Sequence, residues 1–593
     1  MEPRRTLEGD AIAAIFGHMG SSISTVLRTK GERGLAETVR RVRPWAGGFL
    51  LAAALLYPFA SPPSGVVRFD LFATAMLALA AGCWGPGAMR RASVLFLALA
   101  CAVLFFHRGP YPGPALLATG AGLLAVLALH GASGLQKDDR SLAAFLLALL
   151  AGAIANALEG LLQYFGLAWH LHPWVVESLE RGIAFGVFRQ TNLFAVLLVL
   201  ASVAAAWALA RGLLSQAMAW IACGVLQFAI AASASRIAGL AVLAVAAGAV
   251  ALLRGASHAR ARRLLTLQPV LYVSAAVIVP WLAALHGFEP RSIQERFAGL
   301  GSDSRLVLWG NAIDMALLRP WTGWGWGEFG FAHYEALLPL RFGGGEQLLD
   351  HAHNLVLHVA VELGLPAAVA VAVGLVWLGL RAWRRARREP AAAYPALMLG
   401  VLVMHSMVEL PLWTPTHLFL AALAAGWFVA VPSAPQGTAR GLSAMAILLA
   451  CGAVLASRQY AAVAAIYDPQ ERRSREAQQA VIAAAEGSFL FRGQVDFARM
   501  AGMVPDDRNA PEVFALARQL LHFSAEPVVI TRLVESAWLL GRHEEAQHHA
   551  QRLSRAFPRR YEAWLAQLRA QRPPLAAWLA AQGRPATVPD GQP

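Results

Sequence analysis

The 593 residues are 57% hydrophobic and only 15% charged, too little polar surface to clothe the several soluble domains that this length would otherwise form. Lipid must therefore solvate much of the chain. The formal net charge of +14 does not mark a nucleic-acid binder, because the arginines fall in short clusters between apolar stretches and not along one basic face.

Residues 1–44 are basic and mostly polar, unlike a cleavable signal peptide, and read as a cytoplasmic leader. A helix needs about 20 apolar residues to cross the hydrocarbon core. By that measure spans fall near 45–60, 66–83, 93–107, 113–130, 141–166, 190–210, 214–233, 236–253 and 267–286, then near 355–380, 394–412, 415–432 and 441–457. The first and third are short, so the expectation is an all-α, polytopic helical membrane protein with about 12–13 transmembrane helices. With the N-terminus inside, the inward connections carry Arg90–Arg91, Lys137 and Arg140, Arg211, Arg254 to Arg263, Arg381 to Arg388, and Arg440. That agreement with the positive-inside rule orients the chain. The cysteines Cys83, Cys101, Cys223 and Cys451 lie in apolar stretches without CxxC spacing, so they imply neither disulfides nor zinc.

Two regions are then left outside: a loop at 287–354, rich in Trp, Gly and Arg, and a tail at 458–593 that is helical in period. Connections of such length are usually functional or disordered, and the loop's composition favours function. In the tail, Gly541-Arg-His-Glu-Glu-Ala546 followed by Pro558 resembles the second helix of a tetratricopeptide repeat. No 34-residue repeat is visible, so packed helical hairpins are the plainer expectation for this C-terminal domain.

Polar groups at membrane depth are costly and therefore informative. Four clusters lie at the outward ends of spans: Arg189-Gln190-Thr191-Asn192, Ser233-Ala-Ser-Arg236, Ser302-Asp-Ser-Arg305 with Trp309, and His351-Ala-His353-Asn354 followed by Glu362. The third runs on into Arg319-Pro-Trp-Thr-Gly-Trp324-Gly-Trp326-Gly-Glu328. Their convergence on one side is independent of the way the spans were assigned. Glu159 and Glu409 also lie near outer span ends, as partners for the arginines.

These motifs, in this order and ending on His405-Ser-Met-Val-Glu409-Leu-Pro-Leu-Trp413, resemble the O-antigen ligase/polymerase superfamily. Within it the bacterial protein O-oligosaccharyltransferases are the nearest branch. The resemblance covers residues 150–430 well, is weaker over the first four spans and weakest over the tail. It departs at Leu410 and Thr414, where that branch often has tyrosines, and this bears on the acceptor.

The resemblance implies a metal-independent glycosyltransferase without a cofactor, in the bacterial inner membrane, with its active site facing the periplasm. Its donor would be an undecaprenyl-diphosphate-linked glycan, and its acceptor a protein hydroxyl, lipid A core or a growing glycan. A transporter or flippase is the alternative from another class, but inverted repeats are not visible and the polar residues sit at one face. For the catalytic roles, Arg236 and Arg305 would hold and stabilise the departing diphosphate, as guanidinium forks do. Snorkelling for Arg236, and a loop salt bridge to Asp303 or Asp314 for Arg305, are the plainer alternatives. His353 matches the family's histidine and would be the base, with His351 in reserve. Asn354, His358 and Glu362 share one helical face, so Glu362 either orients a histidine or is simply buried. Gln190 and Asn192, with Arg189, either bind sugar and phosphate or knit the sixth span to a neighbour. Trp324 and Trp326 of the GWGWG stretch either stack on sugars or form a tight turn with interfacial tryptophans, and Trp309 joins the substrate-binding set. A metal held by His351 and His353 lacks a placed third ligand.

Overall fold

The computed structural model describes residues 37–39, 41–84, 103–178, 181–288, 304–336, 350–429, 438–468 and 474–582. Among the described residues it is helical throughout, with no strand. The leader before residue 37, most of the span expected at 93–107 with Arg90, Arg91 and Cys101, and Ser302 and Asp303 of the loop lie outside the described residues.

The membrane part begins with α1 (41–54), α2 (Val67–Cys83), α3 (Gly113–Lys137) and α4 (Asp139–Tyr164). It continues with α5 (Thr191–Ala210), α6 (Gln216–Ala232), α7 (Arg236–Leu252) and α8 (Gln268–Leu285). The long loop between α8 and α12 contributes α9 (Ser304–Leu318), α10 (Phe329–Glu335) and α11 (Leu355–Leu363). Then come α12 (Leu365–Arg388), α13 (Ala393–Ser406), α14 (Pro415–Val429) and α15 (Thr438–Ile466). Among the described residues α3, α4, α5, α12, the Ala256–Leu285 run that ends in α8, and Leu442–Ile466 of α15 are long and apolar enough to cross a bilayer. Shorter apolar helices, α6, α7, α14 and the Pro390–Ser406 run containing α13, stand among them. The chain is a polytopic helical membrane protein.

Helix α5 is apolar on every side and forms the hub: each residue from Leu193 to Leu209 is buried, as expected for a helix surrounded by others. It packs against α4, α6, α7 and α13. At the rim, α8 and α12 leave Val273, Val277, Trp281, Val369, Val373 and Val376 exposed, a lipid-facing surface. Within the bundle, Asn156 donates to Leu55 O at 2.5 Å and Gln227 to Gln268 at 2.5 Å, the amide cross-links expected where water is scarce.

The basic connections gather at one end. Arg43 donates to Gly82 O at 2.7 Å, Arg211 pairs with Asp139, His258 meets Tyr394 at 2.9 Å, and Arg381 donates to Phe428 O at 2.5 Å. The N-termini of α5, α7 and α14 and the long loop lie at the other end.

One expected span is displaced. The stretch read as 355–380 breaks at Gly364, with φ 88°, and the long helix starts only at Leu365, running to Arg388. A Cβ on Gly364 would lie 2.7 Å from the Trp321 carbonyl, so only glycine allows this approach. Helix α11 therefore belongs with the long loop, not with the span.

The tail continues as α16 (Arg475–Ala484), α17 (Arg492–Ala501), α18 (Ala510–Leu520), α19 (Pro527–Leu539), α20 (His543–Ala556), α21 (Pro558–Gln571) and α22 (Pro573–Ala581). From α17 on, each helix packs on the next. The Gly541 motif is the turn of one such hairpin: Gly541 has φ 72°, and Arg542 N donates to Ala537 O at 2.8 Å, closing α19 in a Schellman arrangement.

Candidate active site

Three helix starts carry polar motifs, and at two of them a Ser or Asn side chain accepts from the orphan N–H groups of the first turn. Ser235 caps α7 through Ala238 N at 3.4 Å, and Asn354 caps α11 through Leu357 N at 3.1 Å. Gln190 precedes α5 with extended backbone. The segment leading to α5 is tied down by Gln163, whose amide donates to Val176 O and Gly186 O and accepts from Phe185 N and Gly186 N, all within 3.1 Å.

At the centre is Glu409, in the connector between α13 and α14. Its Oε1 accepts from Arg305 Nη2 at 2.8 Å and from Asn192 Nδ2 at 3.2 Å, and its Oε2 accepts from His353 Nδ1 at 2.7 Å. Asn192 Oδ1 in turn accepts from Ser235 Oγ at 2.7 Å. Three chain segments thus converge on one buried carboxylate, and a fourth reaches it through Asn192. Burial alone would push that carboxyl up, but the hydrogen bond and charge of His353, with the charge of Arg305, hold it below the ordinary range.

The residues around this bridge are held from several sides. Asn354 Nδ2 donates to Met407 O at 3.0 Å, joining the His353 strap to the Glu409 connector. Trp309 Nε1 donates to Ala352 O at 3.0 Å, joining α9, which bears Arg305, to the same strap. The non-glycine residues with positive φ among the described residues are Arg189 (55°), Ala234 (50°) and His353 (48°), each inside one of the four motifs. Such backbone costs about 1–3 kcal/mol per residue and tends to gather at functional sites.

Other expected residues take separate places. Arg236, the first residue of α7, is exposed next to Ser235, and Arg189 and Gln190 are exposed at the entry to α5. His351 lies against His353 with ring centres 4.2 Å apart and pairs with Asp350. Burial would push the His351 imidazole down, but the Asp350 hydrogen bond and charge carry it above its ordinary value. Glu362 faces His358 at 3.4 Å, both buried, so the histidine it orients is His358 and not His353. Trp324 is buried in the loop core, with Arg319 4.0 Å over its ring and its Nε1 donating to Met315 O at 3.0 Å. Trp326 stacks on Trp413 at 6.1 Å. The glycines around these tryptophans form a tight turn in which Trp324 N donates to Val361 O and Gly325 N to Glu362 O, both at 2.9 Å. Among the described residues no set of three His, Cys, Asp or Glu is arranged to hold a metal.

The carboxylate that Arg305 meets is not the nearby Asp314 but Glu409, which stands 104 positions away. Asn192 is engaged at both ends of its amide, and so braces Glu409 against Ser235. Ser235 is the residue that sequence reasoning had not singled out as a contact. Its place at an N-cap, one residue before Arg236, was the available signal.

The arrangement can do two things together. Glu409 fixes the His353 tautomer, with the proton on Nδ1 and Nε2 left to accept, and it orients a guanidinium suited to phosphate oxygens.

A model of the O-antigen ligase family matches residues 196–372. A second, for the C-terminal part of virulence factor membrane-bound polymerases, matches residues 394–571. The first window holds Arg236, Arg305 and His353, and the second holds Glu409 and most of the tail, so the carboxylate bridge joins the two. A general O-oligosaccharyltransferase from Acinetobacter baylyi is 23% identical over 276 residues, 44% of this chain and 46% of the relative. The chain thus spans under half of that relative's length. The O-antigen ligase and polymerase domains over 196–372 and 394–571, with the distant O-oligosaccharyltransferase likeness, support an O-antigen ligase/oligosaccharyltransferase superfamily member.

Proposed function

We propose that this chain transfers an oligosaccharide from a polyprenyl-diphosphate carrier to a hydroxyl of a protein, at the periplasmic face of the bacterial inner membrane. The observation that carries the proposal is the Glu409 carboxylate shared between Arg305 and His353. In this reading His353 Nε2 takes the acceptor's proton as its oxygen bonds to the anomeric carbon. The bond from that carbon to the diphosphate breaks, and the electron pair leaves with the diphosphate. Glu409 stabilises the imidazolium that forms, as a carboxylate on the far ring nitrogen does. Arg305, with Arg236 beside Ser235, takes up the charge of the leaving group. A hydroxyl is a far weaker acid than imidazolium, so proton removal must be concerted with bond formation. Metal-free action belongs to the same proposal.

The periplasmic assignment rests on the gathering of basic connections at the opposite end of the bundle. A protein acceptor is supported by the name of the Acinetobacter relative and by a helical tail on the same side as the site. Ligation to lipid A core is the second reading, supported by the O-antigen ligase match at 196–372. Glycan analysis of periplasmic proteins and of lipopolysaccharide from a deletion strain separates them. Loss of protein-linked glycan with intact lipopolysaccharide is expected, and the reverse would replace the protein acceptor by lipid A core.

A further inference from the structure

The tail grips the loop helix α10 at both ends. At its start, Glu328 is the N-cap residue and is buried, and its Oε2 accepts from His522 Nδ1 of the tail at 2.7 Å. At its finish, the carbonyls that a helix leaves without partners meet Arg552 of α20. Arg552 Nε donates to Tyr334 O at 3.1 Å, and its Nη2 to Glu335 O at 2.7 Å and Glu335 Oε2 at 3.3 Å. Arg552 is only 5% exposed. A buried guanidinium is tolerated because acceptors surround it, and His548 Nδ1 accepts from its Nη1 at 2.8 Å. Tyr334 adds a hydrogen bond from its hydroxyl to His549 Nδ1 at 2.6 Å.

Helix α10 is the middle of the unit that presents the site. Leu308 and Met315 of α9, Phe329 and Ala332 of α10, and Leu355 and Val359 of α11 share one buried apolar core. Phe329 stacks on His358 of α11 at 5.2 Å. The turn entering α10 holds the end of α11 through Trp324 N and Gly325 N. Arg305 stands at the start of α9 and His353 just before α11, so both hang on elements that α10 separates.

We infer that Arg552 is a positioning residue for transfer: by capping α10 it fixes the spacing of Arg305 and His353, which makes the tail a structural part of the active site. The inference rests on the proposed function for its kinetic arm only. Lysine is a poor replacement, since a point ammonium cannot reproduce a planar fork spanning two carbonyls and a carboxylate.

The test uses the full chain in detergent, as Arg552→Gln, Arg552→Lys and, as a milder lesion at the other grip, His522→Gln. Transfer from a purified polyprenyl-diphosphate-linked oligosaccharide is measured per folded molecule, beside hydrogen exchange of residues 304–318, 329–335 and 355–363. Expected are faster exchange in all three segments and a kcat lowered on the order of 10-fold or more, with the donor KM nearly unchanged, because small misplacements act on the chemical step. Arg552→Lys should recover part of both. Unchanged exchange at 304–318 and 355–363 in variants that fold overturns the inference, as does a loss of rate that only follows the amount of folded protein. Should Arg552→Gln fail to fold, the same two readouts on His522→Gln decide. Absence of transfer in the wild-type chain would overturn the proposed function and leave the exchange result to decide the positioning role.

Discussion

Glu409 binds two groups that the proposed reaction uses differently, and its variants should separate them. Glu409→Gln keeps an oxygen for one partner but loses the charge that stabilises an imidazolium, so transfer should fall on the order of 10²-fold with the protein still folded. His353→Ala should abolish transfer and leave donor binding nearly intact, because a base acts in the chemical step. The wild-type rate should fall on acidification, because general-base transfer needs an unprotonated base. Glu409, whose carboxyl is held below the ordinary range, stays ionised through that interval, since a depressed carboxyl protonates only when pH falls through its lower folded value. A rate that holds or rises on acidification, with weakened donor binding in His353→Ala, would move this histidine to the phosphate side. Chelators should leave the rate unchanged, and inhibition reversed by a divalent ion would revive a metal. The arginines give a second prediction at this scale. Arg305→Lys and Arg236→Lys should each lose far more than charge counting suggests, because an ammonium cannot make a bidentate phosphate contact. Near-normal transfer by both lysine variants would reduce these arginines to helix anchors.

The break between α11 and α12 separates the helix headed by His353 and Asn354 from the long span that follows. Leu365 N donates to Pro320 O at 2.7 Å, so the start of α12 is tied to the turn that follows α9. Gly364 has φ 88° and ψ 168°, a region nearly closed to other residues, where a side chain costs about 1–3 kcal/mol. Gly364→Ala adds a clash with the Trp321 carbonyl to that strain. It should lower the melting temperature in detergent and reduce transfer by at least about 10-fold, since α11 carries His353 and Asn354 at its head. An alanine variant with wild-type melting and activity would mean that α11 and α12 are free to move relative to each other.

Across the whole molecule, the charge asymmetry predicts topology. A reporter after residue 390 should read cytoplasmic, and reporters at 345 or 593 should read periplasmic, because the arginines of the connections favour the inner side. A cytoplasmic reading at the C-terminus would place the tail on the other side from the proposed site. That outcome conflicts with the contacts of His522 and Arg552 on the outer loop, so the fusion tests the assembly as well as the orientation.

What the sequence determined by itself is what local physics decides. Apolar length produced the spans, since a bilayer leaves the backbone only its own hydrogen bonds to make. The polar motifs at span ends were legible because polar groups there are costly, and the superfamily followed from their order. Tertiary structure alone decided which of those residues touch. Arg305 had Asp303 and Asp314 close in sequence, yet its carboxylate is Glu409, 104 positions away in the connector between α13 and α14. The Glu362–His358 pair, by contrast, is an i, i+4 contact within one helix and was already open to reading from the period. The grip of Arg552 on α10 was as hidden as the Arg305 pair, because nothing around an arginine in a polar helix says which distant carbonyls it will cap. Periodicity and composition report on each segment's solvent; pairings between segments depend on how the segments pack.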